Sequence, residues 1–428
     1  MTSNVPQHDP SDGPGFRPPA RLWQERNPTW MGQVQDHHYR AAPEHPAGGS
    51  HPGPQPALAS ALRSAALPAP GGRSAGVVLL VAGGGALAFA GLFLVLPYLL
   101  ANTGLAGFVV GFVASLIPLT AVLLAVFVID RWEPEPKRLL VFAFIWGAVV
   151  SVAATLVIQP VFAMAAAPPP GVDYRTFALT VQAPVVEEFA KSLGLLLLLL
   201  LARKHFDGPV DGVVFAFTIA GGFAFTENIL YFGSAIAQSS TPGADLAVAF
   251  FLRGVMSPFA HAIFTGSTGL ILGLAARRWR VGLTLGAFIV GLVPAMILHS
   301  TWNSMGQDFL AQYVLVQVPI FLLAAAVIAL LRVAESRLTR QRLTEYAAAG
   351  WFTPAEVSML ATGRGRRQAV RWAKSFGHGA QMKSFVGSAT ELAFIRQRIL
   401  SGRNVAEHQR DEQQQLRRIA ADRDALLH

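Results

Sequence analysis

Long apolar runs are the feature that most limits how this chain can fold. Of its 428 residues, 52% are hydrophobic and only 14% are charged. A helix needs about 20 consecutive apolar residues to cross a hydrocarbon core of about 30 Å. Within lipid, the backbone must satisfy its own hydrogen bonds, and a helix does so inside one segment. The sequence therefore predicts an all-α polytopic membrane protein.

Apolar runs of this length predict about eight transmembrane helices, at residues 76–100, 105–129, 139–164, 177–202, 212–236, 246–275, 281–304 and 312–334. The connection ANTG between the first two is very short for two helices. Basic residues follow spans 2, 4, 6 and 8, namely Arg131, Lys137, Arg138, Arg203, Lys204, Arg277, Arg278, Arg280, Arg332, Arg337 and Arg340. Because basic loops stay in the cytoplasm, both termini are predicted to be cytoplasmic. Abundant arginine and alanine favour a bacterial source, and hence the bacterial inner membrane.

Composition divides the chain into three parts. Residues 1–74 are rich in proline, glycine and histidine and are predicted to form a disordered cytoplasmic arm. Residues 75–334 form the transmembrane domain, and residues 335–428 form a basic, helical cytoplasmic tail. This tail holds 16 Lys and Arg against 9 Asp and Glu, so 16 − 9 = +7 of the total charge of +9 lies there. After a last span, such charge favours anionic lipid headgroups as partners, and not nucleic acid.

Apart from Arg332 at the end of span 8, ionisable side chains inside the predicted spans are confined to spans 4 to 7: Glu187, Glu188, Lys191, Glu227, Arg253, His261 and His299. A charge at the centre of a membrane helix costs about 2.5 to 3.5 kcal/mol on insertion scales. Such residues are therefore expected to face one another around a shared interior. The sequence predicts that spans 4 to 7 form a polar core.

Spacing within these spans adds detail. Glu187 and Glu188 lie four and three residues before Lys191, so either carboxylate can face the ammonium group. Pro184, one turn earlier, lacks an N–H and predicts a kink ahead of the two acids. Asn228 can form a hydrogen bond across the helix bundle.

These residue types suit two kinds of chemistry. In one, a buried carboxylate, Glu187 or Glu188, takes a proton from water. The side chains available to hold the developing oxyanion are His261, His299, Asn228 and Asn303, the last of which shares a helix face with His299. In the other, two imidazoles and one carboxylate bind zinc, with His261, His299 and Glu227 as ligands. The residues alone leave both uses open, and they suggest no organic cofactor. Because the chain has no cysteine, thiolate sites and a cysteine nucleophile are excluded.

Ordered motifs along the chain resemble the PrsW family of intramembrane proteases. The motifs are DRWEPEPKRLL before span 3, EEFAKSLG in span 4, GFAFTEN in span 5, RGVMSPFAHAIFTGSTG in span 6 and HSTWN in span 7. The family is similar in its core to the CAAX prenyl proteases and to the Aph subunit of γ-secretase. The resemblance covers about residues 76–334. It implies peptide hydrolysis in or near the membrane, by an active site made of Glu187, Glu188, Glu227, His261 and His299.

The resemblance leaves the type of protease open, because the family is usually grouped with metalloproteases while related enzymes are argued to use glutamate alone. It further implies a membrane-anchored, regulatory substrate of the anti-sigma-factor kind. Two other functions fit the polar core: a non-enzymatic scaffold, and a proton- or ion-coupled transporter. Transport is the weaker of the two, because no repeat relates spans 1–4 to spans 5–8.

Overall fold

The computed structural model of the chain describes residues 75–277, 281–306, 308–402 and 405–427, and within these ranges the regular structure is entirely helical. The predicted arm of residues 1–74 lies outside the described residues, as do Arg278 and Arg280. The described residues divide into two compact units, one ending at Arg332 and the other beginning at Val333.

The first unit contains α1 (Ala75–Ile129), α2 (Lys137–Ile145), α3 (Val152–Ala165), α4 (Tyr174–Phe177), α5 (Ala183–Leu201), α6 (Pro209–Ala237), α7 (Pro242–Phe250), α8 (Ala260–Ala276), α9 (Val281–Asn303) and α10 (Phe309–Gln312). Four π-helical segments interrupt this series, at Trp146–Ser151, Ala178–Gln182, Phe251–Met256 and Tyr313–Gln317. Helix α11 (Val318–Ala348) runs from the first unit into the second. The second unit continues with α12 (Pro354–Leu360), α13 (Gly363–Ser375), α14 (Gly379–Leu400) and α15 (Val405–Leu427).

Six helical stretches among the described residues are long and apolar enough to cross a membrane: Gly76–Ile129, Lys137–Ala165, Pro209–Ala237, Pro242–Ala276, Gly282–Asn303 and Phe309–Ala348. The first contains two of the eight predicted spans, which meet at Gly104. This residue has φ 61° and ψ 174°, a conformation open to glycine, and it is the last residue of the short ANTG connection. Helix α5 is not among the six and carries three charged residues within its apolar sequence. The all-α membrane architecture is confirmed, and the count of eight spans stays a prediction.

Helix α6 is the centre of the first unit because glycines let its neighbours approach its backbone. A β-carbon on Gly222 would overlap the carbonyl of Phe144, and one on Gly212 would overlap the carbonyl of Gly269 in α8. A β-carbon on the adjacent Gly221 would meet only the side chain of Val122, so it is Gly222 that lies against a backbone. Such contacts bring α6 against both α2 and α8 without intervening side chains.

The leucines of α5 decide which way its charged residues face. Leu195, Leu198 and Leu199 are fully buried in the apolar core of the first unit. Residues three, four and seven apart lie on one face of a helix, so burial of this leucine stripe also turns Glu188 and Lys191 inward.

The second unit has its own core. Leu343, Leu360 and Phe385 are among its buried residues. A buried ion pair joins Arg423 to Glu356, with 2.9 Å between Nη2 and Oε2, and the guanidinium lies 5.4 Å from the ring centroid of Phe385. Helices of the second unit thus pack around a core of their own. The boundary of the tail at residue 335 and its cytoplasmic location stay predictions.

Candidate active site

Glu188 and Lys191 form a fully buried ion pair at the base of the polar core. Lys191 Nζ lies 2.5 Å from Glu188 Oε1 and 4.5 Å from the ring centroid of Phe223. Glu188 Oε2 accepts a hydrogen bond of 2.8 Å from the Thr265 hydroxyl. Of the two carboxylates that could face Lys191, Glu188 is thus the closely paired one.

His299 is oriented by the same carboxylate. Its Nδ1 lies 2.9 Å from Glu188 Oε1, and its ring stacks on Phe264 with centroids 5.1 Å apart. Because a carboxylate paired with a lysine can only accept, Nδ1 carries the proton and Nε2 keeps its lone pair. That nitrogen lies 3.8 Å from Glu187 Oε2.

Glu187 is buried but, unlike Glu188, has an unsatisfied oxygen. No described residue donates a hydrogen bond to its Oε2. Glu187, His261 and His299 each offer a ligand atom, and these atoms lie within 4.8 Å of one another. A buried oxygen without a donor commonly marks the place of a water or an ion. Two imidazoles and a carboxylate are also a common ligand set of catalytic zinc, so these residues fit a metal ion.

His261 bridges the ion pair and the second acidic region. Its Nδ1 lies 3.2 Å from Lys191 Nζ, and its Nε2 lies 2.9 Å from Glu227 Oε2. An ammonium group can only donate, so Nδ1 accepts and the Nε2–H points at Glu227. A metal ion could use Nε2 only after this proton has been released to water, which leaves Glu227 ionised.

Glu227 and Arg253 form the more open edge of the site. Arg253 Nη2 lies 2.5 Å from Glu227 Oε2, its Nε donates to Asn228 Oδ1 over 2.8 Å, and its guanidinium lies 3.9 Å from the Tyr231 ring centroid. The side chains of Glu227 and Arg253 are 18% and 19% exposed, against 9% for Glu187. Water therefore has its easiest access at this edge.

Two of the π-helical segments adjoin this site. Arg253 lies on Phe251–Met256, and Ala178–Gln182 directly precedes α5. Pro184 in the first turn of α5 has no N–H to bond the carbonyl of Thr180, and a π-helical turn directly precedes it. The kink predicted ahead of the two acids stays a prediction. Such turns are frequent at functional sites.

The sequence-predicted residues do not all meet. The structure brings together Glu187, Glu188, Glu227, Asn228, His261 and His299. Asn303 instead donates from Nδ2 to the carbonyl of Leu179 over 2.9 Å in an exposed bond, so its catalytic role stays a prediction. Glu227 was the predicted third metal ligand, and among the described residues it is Glu187 that groups with both histidines.

Sequence reasoning missed two neutral contributors, Thr265 and Tyr231, and gave Arg253 no role. Hydroxyl and aromatic residues are common in membrane helices, so Thr265 and Tyr231 carry no signal of their own. Arg253 could have been assigned, because an arginine within a span requires a partner and the EN motif supplies one.

Known proteins are similar to this chain over the region that holds these residues. The model of the PrsW family intramembrane metalloproteases matches residues 135–324, which include every residue of the site. The protease PrsW of Oceanobacillus iheyensis is 30% identical over 224 residues, which are 51% of this chain and 92% of that protein. The protease PrsW of Geobacillus kaustophilus is 30% identical over 164 residues, which are 38% of this chain and 65% of that protein.

No solved structure matches the chain. The predicted likeness to the CAAX proteases and the Aph subunit stays a prediction. Because the chain covers nearly all of a relative at this identity and holds the buried Glu and His residues within the matched region, it belongs to the PrsW family of intramembrane metalloproteases.

Proposed function

We propose that this intramembrane endopeptidase cleaves membrane-anchored regulatory proteins of the anti-sigma-factor kind in the bacterial inner membrane, with zinc as its metal. Membership of a protease family makes the chain an enzyme and not a scaffold or a transporter. The observation that carries the proposal is Glu187 Oε2, a buried oxygen without a donor that lies 3.8 Å from His299 Nε2. An orientation with both termini cytoplasmic, and anionic lipid as the partner of the basic tail, belong to the same proposal.

Glu187, His261 and His299 are the residues that would hold the metal ion. When bound, the ion would polarise the scissile carbonyl and make water a better nucleophile. Glu188 orients one member of this set, because it accepts a hydrogen bond from the Nδ1–H of His299 and so turns Nε2 toward Glu187. A carboxylate in this position fixes the ring and raises the basicity of the histidine.

Glu227 is the proton acceptor in this proposal. Its Oε2 is used by Arg253 and His261, but no described residue donates to its Oε1. Its side chain is the most exposed carboxylate of the site. Glu227 therefore combines access to water with a free oxygen, and it takes the proton of the attacking water at Oε1.

Arg253 is the donor to the oxyanion. Its Nε and Nη2 are held by Asn228 and Glu227, while no described residue accepts from its Nη1. A guanidinium fixed on two sides and stacked on Tyr231 presents the remaining N–H groups without reorganisation. Preorganised donors of this kind stabilise charge that develops on a carbonyl oxygen.

Metal content tests the division of roles between the carboxylates. We expect purified wild-type protein to hold one zinc ion per chain, Glu187→Gln and His299→Ala to lose it, and Glu227→Gln to keep it while losing cleavage. If Glu227→Gln lost zinc and Glu187→Gln kept it, Glu227 would be the metal ligand and Glu187 the proton acceptor, which are the roles that the sequence alone suggested. Active wild-type protein without a transition metal would overturn the zinc proposal.

Substrate screening tests the activity itself. The protein is co-expressed with a library of single-span membrane proteins, and cleavage products are compared with those of Glu187→Gln. Products that are specific to the wild type and belong to regulatory anchors support the proposal. Products that persist unchanged in Glu187→Gln would remove this residue from the reaction.

A further inference from the structure

The cations of the second unit fall into two groups. Several are used inside the unit: Arg342 and Arg396 both pair with Glu345, and Arg423 is buried against Glu356. Helix α13 carries five cations, of which Arg366 is half-buried and donates from Nε to the carbonyl of Leu360. The other four are exposed, and none forms an ion pair with a described residue: Arg364, Arg367, Arg371 and Lys374. Helix α13 therefore concentrates several exposed cations without ion-pair partners among the described residues.

These four residues share one face of α13. At 100° per residue, positions 364, 367, 371 and 374 fall within an arc of about 80°. The helix contains no acidic residue that would offset them. Its opposite face is formed by the buried residues Gly365, Ala369 and Ala373. Packing of that small-residue face into the core fixes the direction in which the cationic face points.

The ends of α13 hold this face in place. The Thr362 hydroxyl accepts from the Gly365 N–H over 3.1 Å and caps the first turn. At the other end, Phe376 is 46% exposed and lies against Trp372, with ring centroids 5.3 Å apart. Trp372 also packs against the core of the unit, so Phe376 is the aromatic ring left exposed at this end of the helix. Exposed aromatic rings and basic residues together are typical of surfaces that meet the headgroup layer of a membrane.

We propose that the cationic face of α13, defined as Arg364, Arg367, Arg371 and Lys374, docks on anionic lipid headgroups. The chain spans a membrane, and the apolar stretch that contains α11 is one of the membrane-crossing candidates. Helix α11 ends at Ala348, and α13 begins 15 residues later. The short segment between α11 and α13 therefore keeps α13 within reach of a headgroup surface. Each basic residue near such a surface strengthens binding by roughly fivefold, so the four together are expected to raise the affinity by roughly several hundredfold. This inference depends on membrane location and not on proteolysis.

The absence of cysteine from the chain permits a direct measurement. Ser375 is exposed beside the cationic face, so the full-length Ser375→Cys protein can carry one polarity-sensitive fluorophore. The protein is reconstituted in nanodiscs of phosphatidylcholine alone or mixed with phosphatidylglycerol. We expect a blue shift of the emission only in the anionic discs, and its loss at high salt, because salt screens exposed charges.

A matched pair of variants separates the face from total charge. In one, all four residues of the cationic face are changed to Gln. In the other, four exposed cations elsewhere in the unit are changed to Gln, with the same loss of charge: Arg340, Lys383, Arg410 and Arg418. We expect the first to abolish the blue shift and the second to retain it. All eight positions are exposed, and equal thermal unfolding of both variants checks that the fold is kept.

Three outcomes would overturn the proposal. The first is an equal signal in both lipid compositions, and the second is an equal loss in both variants. The third is a shift that appears in phosphatidylcholine discs on addition of tRNA but not with phosphatidylglycerol, which would make the face a nucleic-acid surface.

Discussion

Glu187 and Glu188 are adjacent in the chain but have opposite surroundings. One residue of α-helix turns the side chain by about 100°, so the two carboxylates point to different sides of α5. Glu188 meets Lys191, His299 and Thr265 and is fully satisfied, whereas Glu187 Oε2 has no donor. Glu188 is therefore suited to holding other groups in position, and Glu187 is suited to binding a water or a metal ion.

The Glu188–Lys191 pair should behave as one unit in stability measurements. Removing one member leaves a buried charge without a partner, which costs about 3 to 5 kcal/mol, whereas replacing both with neutral residues costs much less. We expect Glu188→Gln and Lys191→Met each to lower the unfolding temperature in detergent, and the double variant to recover a large part of the loss. Additive effects in the double-mutant cycle would show that the two side chains do not interact.

Arg253 should be sensitive even to a conservative change. Lysine keeps the positive charge near Glu227 but cannot also bond Asn228 and present a further planar N–H. Loss of one oxyanion donor typically reduces the rate by about 10² to 10³. We expect cleavage of a substrate found by the library screen to fall by this factor in both Arg253→Gln and Arg253→Lys. Full activity in Arg253→Lys would reduce Arg253 to a neutraliser of Glu227.

Charge in an apolar run is a strong signal, and this is why sequence identified the glutamates and histidines of the site. The partners of those residues were less predictable. Asn303 shares a helix face with His299, but α9 ends at Asn303 and its amide bonds the carbonyl of Leu179 instead. Helical spacing gives the face of a residue but not where its helix ends.

Helices of the first unit pack by contact between backbones at glycine. Gly269 in α8 faces Gly212 in α6, and α6 carries Glu227 while α8 carries His261. The distance between these two helices therefore sets the distance between two residues of the site. The boundary at Gly104 was predictable from ANTG, whereas the π-helical turns were not, because composition does not distinguish i→i+5 from i→i+4 bonding.

Two glycine substitutions test this packing. A β-carbon in Gly269→Ala would overlap the Gly212 carbonyl and lie 2.7 Å from Ala216 Cβ, so we expect a loss of about 1 to 3 kcal/mol in stability. Gly286→Ala is the matched control, because no neighbouring atom lies within 4 Å of its β-carbon, and helix propensity predicts a gain of up to about 1 kcal/mol. Thermal unfolding of the two variants in one detergent provides the comparison. Equal stabilities would refute close backbone packing at Gly269.

At the scale of the whole molecule, the two units differ in the charge of their sites. The polar core lies among helices that are apolar outside, and it holds acids and bases in nearly equal number. The second unit instead presents unpaired positive charge at α13. We expect the polar core to select a substrate by whether it can enter a membrane-embedded site. We expect the second unit to select a partner by its negative charge.

Orientation in the membrane connects these two surfaces to their compartments. Basic residues follow predicted spans 2, 4, 6 and 8, while the other loops carry only Arg175, so the positive-inside rule predicts a cytoplasmic carboxyl-terminal unit. We expect a reporter fused after Arg280 to be cytoplasmic and one inserted at Ser239, between α6 and α7, to be external. A phosphatase that is active only outside and a fluorescent protein that is active only inside measure the two positions independently. If both reporters gave the reverse result, the carboxyl-terminal unit would lie outside the cytoplasm and α13 would face the outer leaflet.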